Sequence, residues 1–156
     1  RQREQASFLR RLHAALGRVE LESDDFVAAE KHFRLLAEAR HASPARTMSE
    51  RREEAEDAAR WALALARSDR ADEARPLAAR ALAFEREVHA LKTDDQMHKW
   101  NLAIALVAAA HANPGQAKAL VSEAQAIFDS MPQEARALRT SRWIESLIAD
   151  ARRSLR

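Results

Sequence analysis

The sequence predicts an all-α fold, and three observations predict it. Alanine occurs 36 times in 156 residues, against two glycines and four prolines. Apolar residues recur at three- and four-residue spacing along almost the whole chain. Short polar clusters carrying helix-capping side chains punctuate that pattern. This composition favours helix at nearly every position. Two glycines do not build a dinucleotide-binding fingerprint, a phosphate-binding loop or a family of tight β-hairpins.

Helix one is expected from about Gln2 to Leu21, with Phe8, Leu9, Leu12, Leu16 and Val19 on one stripe. Ser23-Asp24-Asp25 supplies N-cap chemistry for a second helix to about His41, with Phe26, Ala29, Phe33, Leu36 and Ala37 inward. Pro44 ends it, because the residue before a proline avoids helical geometry. Thr47-Met48-Ser49-Glu50 is a capping box and opens a third helix to about Arg67. After the turn Ser68-Asp69-Arg70, a fourth helix runs to about Leu91, with Pro76 early in it. Thr93-Asp94-Asp95-Gln96 reads as a second capping box and starts helix five, to about His111. Asn113-Pro114-Gly115 turns into helix six, to about Ser130. Ser130-Met131-Pro132-Gln133 is a third box-like start, for a helix to about Leu155 with Leu138, Trp143, Ile144, Leu147 and Ile148 inward. That makes about seven helices.

The short hairpin turns begin at Ser23, Ser68 and Asn113, 45 residues apart. Each is followed by an alanine on the next helix (Ala29, Ala74, Ala117), and seven residues later by Leu36, Ala81 and Ala124. With Leu16-Gly17 and Phe33 in the first unit, Trp61-Ala62 in the second and Asn101-Leu102-Ala103 in the third, the pattern resembles tetratricopeptide repeats. It is most similar to the longer-period variety of kinesin light chains and bacterial signalling proteins. The resemblance implies a right-handed α-solenoid of three helix hairpins, at about 2–44, 47–91 and 93–131. A capping helix at about 133–155 would cover the last apolar face. The chain does not begin with methionine, and a fragment of a longer protein is expected.

The same resemblance implies a non-catalytic scaffold that holds a protein or peptide on a concave face lined by helices one, three and five. Its groove positions fall on Arg11 and Arg18, then Glu56, Leu63 and Arg67, then Lys99, Leu102 and Leu106. Arg18, Leu63 and Leu106 stand where a carboxylate clamp would carry asparagine, so a mixed arginine–leucine groove for an acidic or amphipathic ligand is expected instead. The alternatives are a regulatory or spacer arm acting in cis on a kinase, cyclase or transcriptional regulator, and a self-association module. For the last, Leu9, Leu12 and Leu16 would pack either on a preceding helix outside this segment or on a second copy of the chain, as a homodimer through the first helix.

Composition narrows the chemistry. There is no cysteine, which removes zinc–thiolate sites and thiol nucleophiles. The six histidines form no metal-binding pair at helical spacing, and the single Glu38-x-x-His41 has no second copy for a di-iron centre. No cofactor and no enzyme activity are expected. Twenty-six basic against 24 acidic residues leave a formal charge of +2, too balanced for a nucleic-acid surface unless segregated. The arginines of the last helix (Arg136, Arg139, Arg142, Arg152, Arg153, Arg156) read as a solvated cap face. The dense run Glu50 to Arg60 reads as a solvated face, or in part as a groove rim. No apolar window is long enough to span a bilayer, and a cytoplasmic or periplasmic location is expected.

Overall fold

A computed structural model describes residues 1–156. It is all-helical, with no strand: α1 (Gln2–Glu22), α2 (Phe26–Ala42), α3 (Met48–Ala66), α4 (Ala71–Leu91), α5 (Gln96–Ala112), α6 (Ala117–Asp129), α7 (Gln133–Arg136) and α8 (Arg139–Ser154). A 3-10 turn, Pro114–Gln116, joins α5 to α6.

Local chemistry sets the helix starts. Asp25 caps α2 by accepting from the Ala28 amide at 3.2 Å. Thr47 and Glu50 form the reciprocal capping box at α3, Thr47 Oγ1 accepting from the Glu50 amide and Glu50 Oε2 from the Thr47 amide. At α5 the cap is Asp95, not Thr93: its carboxylate accepts from the His98 amide at 3.1 Å, and helix begins two residues later than the expected box. The third expected box does not form. Ser130 turns back to bond the Ile127 carbonyl and closes α6, leaving Pro132 to start α7.

The α1–α2 and α3–α4 hairpins turn alike. Asp24 and Asp69 both sit at φ 60°, the left-handed region that aspartate tolerates better than most residues. They lie 45 residues apart, in agreement with the spacing of the turns.

Packing runs in sequence. α1 lies on α2, α3 on α4 and α5 on α6, while α2–α3, α4–α5 and α3–α5 contacts join the pairs. The alanines marked by the 45-residue pattern lie in the core: Ala29, Ala74, Ala81 and Ala124 are all buried, where a small side chain lets helices pack closely. Gly17 serves the same end in α1. A Cβ there would stand 3.0–3.1 Å from three ring atoms of Phe33, tighter than ordinary van der Waals contact.

The final helix differs from expectation. It is broken at Ala137–Leu138, where Leu138 takes an extended backbone, so the chain has eight α-helices rather than seven. The break is fixed by Ser141, which is buried. Its hydroxyl donates to the Ala135 carbonyl at 2.6 Å and accepts from Trp100 Nε1 at 2.8 Å. Leu138 consequently lies exposed rather than inward, whereas Ile144, Leu147 and Ile148 pack inward. α8 packs on α5 and α6. No helix is long and apolar enough to cross a membrane.

Helix α1 departs most. Only Gly17 and Leu21 of this 21-residue helix are buried, and its apolar stripe faces solvent.

The Gly17–Phe33 approach gives a direct test. Gly17→Val is expected to lower stability by about 1–3 kcal/mol, because the added atoms have to push the Phe33 ring off its site. Urea unfolding checks this, with Gly115→Val as the control, since a Cβ at Gly115 meets nothing within 4 Å.

Candidate functional site

A concavity of about 630 Å³ lies between α1, the α2–α3 loop and α3. α1 contributes Ser7, Arg10, Arg11, Ala14, Ala15 and Arg18 to it; the opposite side holds Arg40, Ser43, Ala45, Glu50, Glu53 and Asp57. Arginines at 10, 11 and 18 share this wall because helical spacing of one, seven and eight residues keeps them on one side of α1.

Most of the carboxylates are already engaged. Asp57, buried, accepts from Arg40 at 2.7 Å and from Arg18 at 3.3 Å. Glu50 is held by the Arg46 and Thr47 amides, which keep its carboxyl below the ordinary carboxylate range, with Arg10 adding a smaller push in the same direction. Arg10 and Arg11 have no carboxylate within 4 Å, and Arg18 reaches Glu56 and Asp57 only at 3.3–3.4 Å with its Nε unbonded. The cleft therefore carries a surplus of guanidinium donors. Charged donors of this kind form their best bonds with carboxylates or other oxyanions.

Below the cleft a buried polar network ties α3 to its neighbours. Asn101 on α5 donates to Glu56 at 2.9 Å, and Arg60 donates to the Glu56 carbonyl at 3.2 Å. Glu56 and Arg60, one helical turn apart, thus meet through this backbone bond rather than as a side-chain ion pair. Arg60 is buried, and burial, aided by repulsion from Arg18, lowers its pKa to about 10 against the pull of Asp57 and Glu56. Its guanidinium lies 6.0 Å from the Trp143 ring centre on α8. Arg139 at the start of α8 reaches Glu22 at the end of α1 at 2.9 Å, an exposed ion pair that links the first and last long helices.

The sequence-derived groove is divided by this packing. Arg11 and Arg18 line the cleft, and Glu56 lies half-buried beside it. Leu63, Leu102 and Leu106 do not face a groove: all three belong to the core. Lys99 is buried and donates to the Ser130 carbonyl at 3.1 Å. Arg67 lies over the Phe26 ring at 4.9 Å. The physical reason is that α5 is packed by α3, α4, α6 and α8 together, and its surface is used up. Arg10 and Arg40 are the charged cleft residues that sequence reasoning missed, whereas Glu50, Glu53 and Asp57 belong to the run that reads in part as a groove rim. Arg10 was within reach, since it adjoins Arg11 on the same helix. Arg40 comes from α2, and only the tertiary fold brings it in.

A smaller cleft of about 270 Å³ lies behind the Arg40–Asp57 pair, with Phe33, Trp61, Leu77 and Arg80 in its lining. No group of three or more His, Asp or Glu residues is arranged to hold a metal ion. His13 and His32 stack with ring centres 5.5 Å apart, and His32 bonds Glu20 at 2.6 Å. Glu38 is exposed, as is His41, which adjoins the smaller cleft. No family model, curated protein or solved structure matches the chain.

Two interior groups respond to pH in opposite senses. Glu85 on α4 is 2% exposed with Oε1 unbonded, and burial, together with Glu56, raises its pKa to about 7 against the pull of Arg60 and Arg52. The folded state thus keeps a proton that the unfolded state releases near pH 4.5, and stability falls as pH rises from there to about 7. His111 acts in the opposite sense: burial, with repulsion from Arg67, lowers its pKa to about 4, so stability is lost as pH falls through that value from 6.5. Glu85→Gln is expected to raise stability at pH 8 by on the order of 2–3 kcal/mol. It should have little effect at pH 4.5, and should leave a variant whose stability climbs with pH over the His111 range. Urea midpoints measured across pH 4.5–8 check this.

Proposed function

We propose that the chain is a non-catalytic scaffold, a tetratricopeptide-like right-handed solenoid of three helix hairpins closed by α8. Its ligand is a peptide or protein segment bearing acidic side chains, held in the α1–α3 cleft. The observation that carries this reading is the donor surplus there: Arg10 and Arg11 without partners and Arg18 only loosely paired, beside an open volume of about 630 Å³.

Three further features support the repeat reading. The buried alanines Ala29 and Ala74 stand fourth in α2 and α4, and buried Ala117 stands fourth when counted from the 3-10 turn that leads into α6. The left-handed turns at Asp24 and Asp69 recur 45 residues apart. The close approach of Gly17 and Phe33 has the spacing of the family pattern. The cleft differs from the groove that the family pattern implies in drawing on α1, α2 and α3 alone, because α8 and α6 help to enclose α5. Arginine on a rigid helix, rather than lysine on a loop, suits a ligand whose carboxylates are taken in fixed orientation.

A fluorescein-labelled peptide alternating Glu, Leu and Ala is the probe. The expected result is saturable binding by fluorescence polarisation that weakens as salt rises, because exposed charge pairs are screened. Arg10→Glu with Arg11→Glu is expected to cost at least about tenfold in affinity, about 1.4 kcal/mol. Equal binding of the matching Lys, Leu and Ala peptide, or affinity unchanged in the double variant, would overturn the reading.

A further inference from the structure

The outer face of α1 is the largest ordered apolar feature left in solvent. Phe8 is 58% exposed, Leu9 44%, Leu12 39%, Leu16 38% and Val19 59%. On a helical wheel these five side chains cover about 100°, the width of stripe that an amphipathic helix usually turns toward a core. Here the stripe points away from α2, against which the helix sets Gly17 and Leu21. Leu9, Leu12, Leu16 and Val19 follow alternating spacings of three, four and three residues, the seam geometry of paired helices. The stripe is separate from the arginine cleft, which lies on another side of the same helix.

We propose that this face is a self-association surface on which a second copy of the chain docks its own α1, antiparallel, about a two-fold axis between Leu12 and Leu16. Two observations select the occupant and its direction. The other large exposed apolar residues (Val27, Met48, Leu91, Met97, Leu138) stand on different elements and form no seam, so within a pair of copies α1 can match only α1. Such a contact is isologous and closes at two. The charge along α1 is also polarised: Arg1 and Arg3 outweigh Glu4 at its start, while Glu20, Glu22, Asp24 and Asp25 stand at its end, Glu20 and Glu22 being already paired within the chain to His32 and Arg139. That acidic end opposes the helix's own dipole. Antiparallel pairing sets the basic start of each copy beside the acidic end of the other, Leu9 against Val19 and Leu12 against Leu16. Parallel pairing would stack like charges at both ends. The seam from Leu9 to Val19 is about 15 Å long, which is short for an interface, so the dimer is weak and concentration-dependent.

Sedimentation velocity on the whole chain over a wide concentration series is the first measurement. The expected result is a shift from monomer toward dimer mass with concentration. Phe8→Glu combined with Val19→Glu should abolish that shift while leaving helicity and the urea transition intact, because both positions are more than half exposed. Leu12→Gln is a milder second variant with the same expected direction. The chain has no cysteine, so single introduced thiols report orientation without interference. A mixture of Leu9→Cys and Val19→Cys chains, oxidised and read by mass spectrometry, should yield the mixed 9–19 disulfide in excess of 9–9 and 19–19. A mass that stays monomeric at all concentrations, a dimer that survives the double glutamate variant, or predominance of the 9–9 and 19–19 products would each overturn the proposal.

Discussion

Helix α5 has no solvent side from Asn101 onward, and the rest of the molecule is arranged around that constraint. From Asn101 to Ala112 every residue is buried, and α3, α4, α6 and α8 all pack on it. A helix enclosed by four neighbours can be approached closely only if its side chains are small. The run Ala103-Ile-Ala-Leu-Val-Ala-Ala-Ala110 meets that condition, mixing alanines with a few larger side chains that fill the gaps. The neighbours answer in kind, with Ala59, Ala62, Ala78, Ala81 and Ala124 buried on their own helices. The high alanine content therefore works twice. It favours helix locally and permits the close interhelical distances on which the core depends.

The same enclosure decides where polar chemistry can sit. Charged groups reaching the interior come from several helices (Glu30 on α2, Asp57 and Arg60 on α3, Glu85 on α4, Lys99 on α5), and most are paired where they enter. Asp57 is bound by Arg40 and Arg18, and Glu56 by Asn101. Glu85 is the exception: Oε1 finds no partner, and burial favours its neutral, protonated form. A buried carboxyl kept neutral avoids most of the cost of burying the ion. Its stability term and that of His111 oppose each other over the mildly acidic range, so the wild-type chain hides a pH sensitivity that each group alone would reveal.

Much of the helix order was legible because it rests on local signals. Asp25 and the Thr47–Glu50 box mark helix starts through bonds spanning three residues, and Pro44 closes the space before α3. Where the sequence was ambiguous, competition between equivalent local partners decided. Thr93 and Asp95 both offer caps, and the carboxylate of Asp95 wins. The break before α8 depends on Trp100, 41 residues away from Ser141, and no local pattern carries it. The groove residues fail for a related reason. Leu63, Leu102 and Leu106 sit on the side of their helices that a two-sided packing would leave open, but α5 is packed on every side. The sequence did hold one sign of this: Leu102 to Ala110 contains no charged or polar side chain, and a helix apolar all round is a buried one.

Helix α1 shows the limit of periodicity from the other direction. Its stripe is regular and was readily found, but periodicity states only that one side is apolar, not which way that side turns. Rotation is fixed by contacts with α2, and there the decisive feature is Gly17, whose missing side chain admits the Phe33 ring. Seating that ring against the helix turns Gly17 inward and necessarily turns Leu12 and Leu16 outward. The close approach that secures the first hairpin is thus also what leaves the apolar stripe in solvent. The arginine cleft follows from the same rotation, since Arg11 and Arg18 stand on the remaining flank, facing α3. One small residue orients both surfaces that the helix offers, so their geometry is coupled even though their chemistry is separate.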